Sequence, residues 1–387
     1  MADIARVKLE GFAHLGEAIG RLNGQVIFVA AGIPGEEVAV EVYQRKHDYL
    51  RGRLVEVITP SPDRVVPPCA YFGDCGGCQL QHIAYPRQLA LKQAVVQEQL
   101  RRIGGFLDVA VRPVLGMENP WGYRNHGRFS ALYDGTLGFT RSGSRQLIPI
   151  TYCHLMHPRI NEALGALHGH CRGLHNVSLR YGVHTDQLLV APHVPTAPLP
   201  TGQHYYEEEL LGRRFRIAAA SFFQVNTLQA EALARLVIEN LALGGGETVV
   251  DAYCGVGTFG ILLAARAGKV IGMEESAAAL RDAVYNARGL ANVAFQRGAT
   301  ERLLPALEER VDAVVLDPPR AGCWPKVLAA LADRRPKRLV YVSCDSATLA
   351  RDLRTLVASG FQLLEVQPID MFPQTFHVEN VATLAWE

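Results

Sequence analysis

The sequence predicts an α/β protein in three parts: a small N-terminal β-barrel, a central α+β domain, and a C-terminal Rossmann-like parallel sheet. Three observations lead there. Residues 4–58 alternate apolar and polar side chains between glycine turns, as in Gly24-Gln-Val-Ile-Phe-Val and Glu37-Val-Ala-Val-Glu-Val-Tyr. Such short punctuated strands suit a small barrel. Beyond Thr248, strand and helix signals alternate, which implies βαβ units. The first of those strands runs into a glycine loop, Gly255-x-Gly257-x-x-Gly260, at the end of the sheet where such folds bind ligands.

In chain order, the barrel is followed by Thr59-Pro-Ser-Pro-Asp-Arg, which reads as a linker, and then by the cysteine-rich stretch Cys69–Cys78. A helix is expected near Tyr85–Ile103, with Leu89, Val96 and Leu100 close to one face. From about Trp121 to Arg216 short strands and turns return, rich in glycine and histidine. Leu228–Leu241 reads as a helix. Thr248–Ala252, Ile261–Ala267, Lys269–Met273, Ala277–Arg288, Ala313–Leu316 and Arg338–Val342 then carry the alternation. The expected domains are therefore 1–60, 61–216 and 217–387, with the helix near 85–103 packing on the last of them.

Composition narrows the class. Hydrophobic residues make up 49%, enough to bury a core in each part and against a disordered or fibrous chain. No apolar run approaches the ~20 residues that span a bilayer, and the N-terminus lacks a signal-peptide core, so a cytoplasmic protein with no membrane partner is expected. The net charge of +1 neither demands nor excludes a polyanion; only six of the 39 basic residues are Lys, and the Arg forks suit phosphate and bases.

The glycine loop permits close approach of either a dinucleotide or S-adenosylmethionine. Asp251, between strand and loop, can hold an ammonium directly or through water. Glu274, at the end of the next strand, is placed for a ribose diol, a feature that a nicotinamide enzyme shares. Val314-Val-Leu-Asp317-Pro-Pro-Arg320 discriminates: a strand ending in Asp-Pro-Pro makes a rigid turn over the pocket, with Asp317 aimed at the reacting groups. Methyl transfer is favoured over hydride transfer.

Leu339-Val-Tyr-Val-Ser-Cys344 sets a thiol at the carboxyl end of the following strand. A free thiol titrates near ~8.5. A helix starting at Ser346 is expected to favour the thiolate through its positive end. Glu379 precedes the apolar run Val381–Trp386, which reads as a terminal antiparallel strand. The other cysteines should be reduced in a cytosolic chain. Cys69-x5-Cys75-Gly-Gly-Cys78 with a remote Cys153 gives a three-plus-one set that suits either zinc or a cubane cluster, while Cys171 falls outside it.

With Asp317, Cys344 and Glu379 in this order, the chain resembles the RNA uridine-C5 methyltransferases, especially the iron–sulfur branch acting on large-subunit (23S) ribosomal RNA, over nearly its whole length. The resemblance implies a class I S-adenosylmethionine-dependent methyltransferase domain, with Cys344 as nucleophile, Glu379 as the base that removes the C5 proton, and Asp317 gripping uracil or cofactor. Ser221-Phe-Phe-Gln-Val-Asn226 matches a family segment, so Gln224 is implied to contact cofactor and target, and Phe222 to stack on RNA. Tyr253, Thr258, Glu274 and Ala299 are implied to line the cofactor site beside Asp251, Gly255 and Gly257; Thr258 stands where a close pattern has Asn. The same resemblance implies a [4Fe–4S] cluster on Cys69, Cys75, Cys78 and Cys153, in preference to zinc. It also implies a TRAM-like barrel in which Arg45, Lys46, Arg51 and Arg53 are candidate phosphate contacts. Tyr123-Arg124-Asn125-His126-Gly127-Arg128 resembles a further family motif; Arg124, Arg128 and Arg320 are the RNA contacts it and the Asp-Pro-Pro turn suggest. A monomer is expected. Cytosine-C5 enzymes carry a second Cys beside the Asp-Pro motif, and here that position is Arg320, with Cys323 three residues on. The alternatives are a transfer-RNA uridine enzyme of the same chemistry and, from another class, a non-catalytic RNA-binding assembly factor.

Overall fold

A computed structural model describes residues 4–386. Residues 1–3 and 387, the outermost positions of the first and last expected domains, lie outside the described residues. Strands β1 (Ile4–Phe12), β2 (Ala18–Leu22), β3 (Gln25–Val29), β4 (Glu37–Arg45) and β5 (Tyr49–Thr59) close a barrel in the order β1-β2-β3-β5-β4. Alternate residues turn inward, and Val7, Leu9, Ile27, Val29, Val38, Val40 and Leu50 fill the barrel. The stretch after β5 is less free than its prolines suggest. Arg64 folds back, its Nε and Nη2 donating to buried Glu36 at 2.6 and 2.7 Å.

Helix α1 (Tyr85–Gln99) runs on into a π-helical turn over Leu100–Gly104, which Gly105 ends in the left-handed conformation (φ 77°). Its buried face carries Gln88, Leu91, Lys92, Val95 and Val96. Leu89, expected on that face, is only half-buried and packs over Gly116. The polar members fasten the helix to the chain's C-terminal part. Lys92 Nζ lies 2.5 Å from Asp370 Oδ1, and Tyr85 donates to the other carboxylate oxygen at 2.9 Å. Gln88 exchanges hydrogen bonds with Gln374, at 2.9 and 3.2 Å. Val96 and Leu100 enter the core of the C-terminal sheet.

The central part is an antiparallel sheet of β6 (His126–Ala131), β7 (Leu137–Thr140), β8 (Leu147–Pro149), β9 (Asn176–Gly182) and β10 (Gln187–Ala191), ordered β10-β9-β6-β7-β8. Helix α2 (Pro158–Leu167), not anticipated from the sequence, lays Ile160, Ala163, Leu164 and Leu167 on it. That spacing is a helical stripe and was legible in principle. A hairpin, β11 (Tyr205–Leu210) and β12 (Arg213–Ala218), leads to the last part.

There the chain runs α3 (Thr227–Leu241), β13 (Thr248–Ala252), α4 (Thr258–Leu263), β14 (Lys269–Glu274), α5 (Ala277–Asn286), β15 (Val293–Arg297), α6 (Thr300–Ala306), β16 (Ala313–Leu316), α7 (Pro325–Arg334), β17 (Arg338–Ser343), α8 (Ser346–Ala358), β18 (Gln362–Ile369) and β19 (Glu379–Ala385). The seven strands lie in the order β15-β14-β13-β16-β17-β19-β18, and only β19, between β17 and β18, runs antiparallel to the rest. Val249, Val315, Val340 and Val342 face the core under α3, whereas Val250, Leu316, Leu339 and Tyr341 face the opposite core with Val96 and Leu100. Both faces are covered, which is why these strands read as continuous apolar runs. β14 and β16 flank β13 on opposite sides, so the loops leaving β13 and β16 part and open a crevice at the strands' carboxyl ends. Among the described residues no helix is long and apolar enough to cross a membrane.

Removing one member of a buried ion pair leaves the other charge without compensation, at a cost of roughly 3–5 kcal/mol. Lys92→Ala is therefore expected to lower the stability of the C-terminal part by about that amount in urea denaturation. Lys92→Met with Asp370→Leu should restore most of it; equal losses in single and double variants would mean that the pair does not couple the two segments.

Candidate active site

The crevice is a cavity of about 580 Å³ whose walls come from segments far apart in sequence. Gln224, Tyr253, Gly255, Glu274, Ala299, Asp317, Arg320, Cys344 and Glu379 all line it, as does Phe222. Three expected residues stand elsewhere. Thr258 lines an adjoining cavity of about 50 Å³ together with Gln224, Tyr253 and Asp317. Gly257 caps α4 in the left-handed conformation (φ 85°). Asp251 is fully buried beneath the loop, its Oδ2 accepting from the Gly260 amide at 2.7 Å while Oδ1 has no partner.

Local structure explains these positions. β13 ends at Ala252, and the next residue, Tyr253, takes a positive φ of 65°, a conformation that costs a non-glycine residue energy and that clusters at functional sites. The turn brings the Gly255 amide to Glu274 Oε2 at 2.9 Å, and the Ser276 amide reaches Oε1 at 2.6 Å. Glu274 is thus oriented by backbone, and each oxygen keeps a further lone pair. Phe222 and Phe223 divide: Phe223 is buried in an apolar cluster, whereas Phe222 stays 68% exposed at the cavity rim.

Cys344 directly follows β17 and Glu379 begins β19, and the antiparallel pairing of these strands brings the two together. Burial, then the charge of Glu379, pushes the Cys344 thiol up to about 11, with Arg320 pulling the other way. Burial, then Asp317, raises Glu379 well above the usual carboxylate range, again opposed by Arg320. Burial also raises Asp317 and Asp251 to about 7. The expected activation of Cys344 by the start of α8 is not what the structure shows. Asp345 takes those amides, its Oδ1 accepting from Ala347 and Thr348 at 3.1 and 2.9 Å. His14, from the barrel, sits 3.4 Å from Asp345 Oδ2. The His14 hydrogen bond first, and the Thr348 amide after it, hold Asp345 down at about 2. The cation that faces the thiol is Arg320, whose Nη2 also lies 3.4 Å from both ring nitrogens of His377. Burial, then Arg320, lowers His377 to about 4, which keeps it neutral. Neither His14 nor His377 carried a signal in the sequence, since each acquires its role through a contact across the fold.

Cys69, Cys75, Cys78 and Cys153 line a second cavity of about 390 Å³ with Arg124, Arg128, Tyr152 and His154. Among the described residues no group of three or more His, Cys, Asp or Glu side chains is placed to hold a metal ion. Cys171 is buried elsewhere. Arg124 and Arg128 therefore border the cysteine cavity and not the crevice. Within their motif Tyr123 and Asn125 are buried, the Tyr123 hydroxyl donating to the Pro373 carbonyl at 3.0 Å. In the barrel, Arg51 is bonded to Glu17 at 2.7 Å and Arg53 lies 3.5 Å from Glu41, so both cations already have partners.

The crevice thus gathers a thiol, two buried carboxyls and a backbone-held acid, and the chain that builds it is similar to known proteins. The family model described as tRNA (Uracil-5-)-methyltransferase matches residues 202–386, and the TRAM domain model matches residues 3–55. An uncharacterized RNA methyltransferase of Thermosynechococcus vestitus is 37% identical over 98% of this chain and 97% of its own length. One from Gloeobacter violaceus is 38% identical over 98% and 95%. The chain belongs to the RNA uracil-C5 methyltransferase family. Among solved structures, the Pyrococcus abyssi tRNA (uracil-54, C5)-methyltransferase in complex with S-adenosyl-L-homocysteine covers 98% of this chain and 100% of its own, with a TM-score of 0.80 at 28% identity. As a methyltransferase of this family, the protein has its crevice at the switch point of the sheet and a TRAM barrel at its N-terminus.

Because the thiolate is the reactive form, alkylation of Cys344 in the ligand-free enzyme should climb roughly tenfold per pH unit between about pH 7 and pH 10 and level off only near 11. Iodoacetamide labelling resolved by peptide mass spectrometry reads this directly. A plateau by about pH 8 would show that the thiol is activated in the empty site.

Proposed function

We propose that the protein methylates C5 of a uridine in RNA with S-adenosylmethionine as donor, through a covalent bond from Cys344. The observation that carries this reading is the convergence of Cys344, Glu379, Asp317 and Arg320 with Glu274 and Gly255 in one cavity. The residues also fit the donor. The orphaned Oδ1 of buried Asp251 is an unmet acceptor that an ammonium can satisfy directly or through water, and Glu274, fixed by two amides, can accept from a ribose diol. When bound, the donor supplies an electrophilic methyl group and a positive charge.

In this reading Cys344 Sγ adds to C6 of uracil, and the electron pair of the C5–C6 bond moves toward the O4 carbonyl, which makes C5 nucleophilic. Arg320 favours the thiolate over the thiol. After C5 has taken the methyl group, Glu379 removes the C5 proton, the double bond re-forms, and the sulfur leaves. Glu379 must be ionised to act, and Arg320 is the neighbouring cation that draws it toward that form. Asp317 grips the uracil edge, and Phe222 stacks at the rim.

The target is read as large-subunit ribosomal RNA, on the resemblance that joins a TRAM barrel to the four-cysteine set. Transfer RNA is a second reading, and the full-length structural match to an enzyme acting on uracil 54 of tRNA favours it. Methyl mapping of both RNAs from a strain lacking the gene separates the two.

Cys69, Cys75, Cys78 and Cys153 are proposed to hold a [4Fe–4S] cluster. Four thiols around one cavity, in a three-plus-one sequence arrangement, supply the ligand set that a cubane cluster takes. The Gly77 amide donates to Cys75 Sγ at 3.4 Å, the kind of bond that steadies a ligating sulfur.

RNA containing 5-fluorouridine should trap the wild-type enzyme as an adduct that survives denaturing gels and is absent with Cys344→Ala. With ordinary uridine, Glu379→Gln should accumulate the methylated adduct and turn over roughly 10²–10⁴-fold more slowly. Prompt turnover by that variant would remove Glu379 from the base role, and the absence of any adduct would favour a non-catalytic RNA-binding protein. Protein purified without oxygen should contain equimolar iron and acid-labile sulfide and absorb broadly in the visible. Cys78→Ser should lose that colour, while stoichiometric zinc without iron would overturn the assignment.

A further inference from the structure

The Asp-Pro-Pro turn does not end at Arg320. The chain continues through Ala321, Gly322 and Cys323 to Trp324, and helix α8 pins this stretch along its length. Thr348 donates to the Arg320 carbonyl at 3.0 Å, Arg351 to the Ala321 carbonyl at 2.8 Å, and the Cys323 amide to Asp352 at 2.8 Å. The Gly322 amide closes on the Pro319 carbonyl at 2.8 Å. Trp324 itself precedes Pro325, which confines it to extended backbone, as observed (φ −65°, ψ 147°). The backbone under this indole is therefore fixed before anything binds.

The side chain tells the opposite story. Trp324 is 64% exposed, although it lines the same cavity as Cys344. The chain has three tryptophans, and the other two have ring partners: Trp386 packs edge-on to Phe361 at 4.9 Å, and Trp121 meets His154 at 6.0 Å. Among the described residues Trp324 has no ring or cation partner. A rigidly mounted indole left facing solvent at the mouth of a reactive crevice is a surface awaiting a flat, apolar-faced occupant. Phe222, 68% exposed, is the second large ring on the same rim.

We propose that Trp324 is a stacking platform for an RNA base next to the target uridine. The proposal rests on the uracil-methylation reading above. Exposure separates the possible occupants: Gly255, Glu274 and Ala299, which suit the small donor, are half-buried, whereas both rings stand out in solvent where a polymer arrives. Bringing uracil to Cys344 requires that it leave its stack, which costs stacking and pairing energy. Stacking on an aromatic ring returns part of that cost, and Trp adds large area while fixing only two side-chain torsions. Phe222 and Trp324, both exposed and both lining the cavity, together offset the extrusion.

The test uses the full-length enzyme and a short single-stranded RNA with one uridine flanked by adenosines. RNA should quench the part of the tryptophan emission that disappears in Trp324→Phe, and S-adenosylhomocysteine alone should not. Trp324→Ala should weaken RNA binding roughly tenfold, the loss of one stacked base, while Trp324→Phe stays within about threefold of wild type. At saturating RNA, Trp324→Ala should still form the 5-fluorouridine adduct, which places the defect in KM and not in kcat. Unchanged emission and unchanged affinity in Trp324→Ala would overturn the proposal. Quenching by S-adenosylhomocysteine alone would also overturn it, by assigning the indole to the donor pocket. Adduct formation is read separately from affinity, so a failure of the uracil reading (no adduct in the wild type with any RNA) is distinguishable from a failure of this one.

Discussion

The contact between Lys92 and Asp370 governs how this protein assembles. Two opposite charges are taken almost wholly out of water, an arrangement that holds only when each satisfies the other. Asp370 opens the loop that leads to His377 and Glu379, so the pair fixes the approach to the cavity as well as docking α1. Neighbouring bonds act on the same loop: Gln88 with Gln374, Tyr123 with the Pro373 carbonyl, and Asn226 with the Met371 carbonyl. The barrel touches it too. Gly16, at a φ of 81°, lies so close to Phe376 that an added Cβ would stand 2.9 Å from the phenylalanine's own. Residues from the barrel, the central part and the C-terminal sheet therefore hold one short segment in place.

That segment closes a cavity in which negative charge is disfavoured. Cys344, Glu379 and Asp317 each lose solvation; Glu379 and Asp317 further raise the cost of ionising Cys344, and Asp317 that of Glu379. Arg320 is the counterweight, and His377 beside it stays neutral, so it adds no second cation. The thiol in the empty crevice is thereby kept in its unreactive form. The N-terminus of α8 does not alter this, because Asp345, held by His14, uses its amides. The proposed mechanism, which forms and breaks a carbon–sulfur bond, needs such control, since a permanently ionised thiolate would be open to oxidation and alkylation.

Much of the fold was legible because its physics is local. Strands buried on both faces must be apolar along their whole length, so Thr248–Ala252 and Ala313–Leu316 appear in the sequence with their structural bounds. A glycine loop after a strand and an Asp-Pro-Pro turn restrict the backbone whatever surrounds them. Apolar periodicity finds Val96 and Leu100 on the buried face of α1 but cannot see Gln88 and Lys92, which are buried for their partners and not for their hydrophobicity. Helix α2 was overlooked among glycines and histidines even though Ile160, Ala163, Leu164 and Leu167 mark it.

The sequence by itself determined the chemistry on offer: a thiol and a carboxylate at strand ends, an acid at the end of the strand after the glycine loop, and four cysteines in a three-plus-one set. These follow from residue type and spacing, which the chain carries wherever it folds. Only the tertiary structure decided that Phe222 faces solvent while Phe223 is core, that Arg320 guards Cys344, that Asp345 takes the helix amides, and that Arg124 and Arg128 border the cysteine cavity. Each of these depends on segments tens to hundreds of residues apart meeting in space, and burial, which sets both exposure and acidity, exists only once they have met.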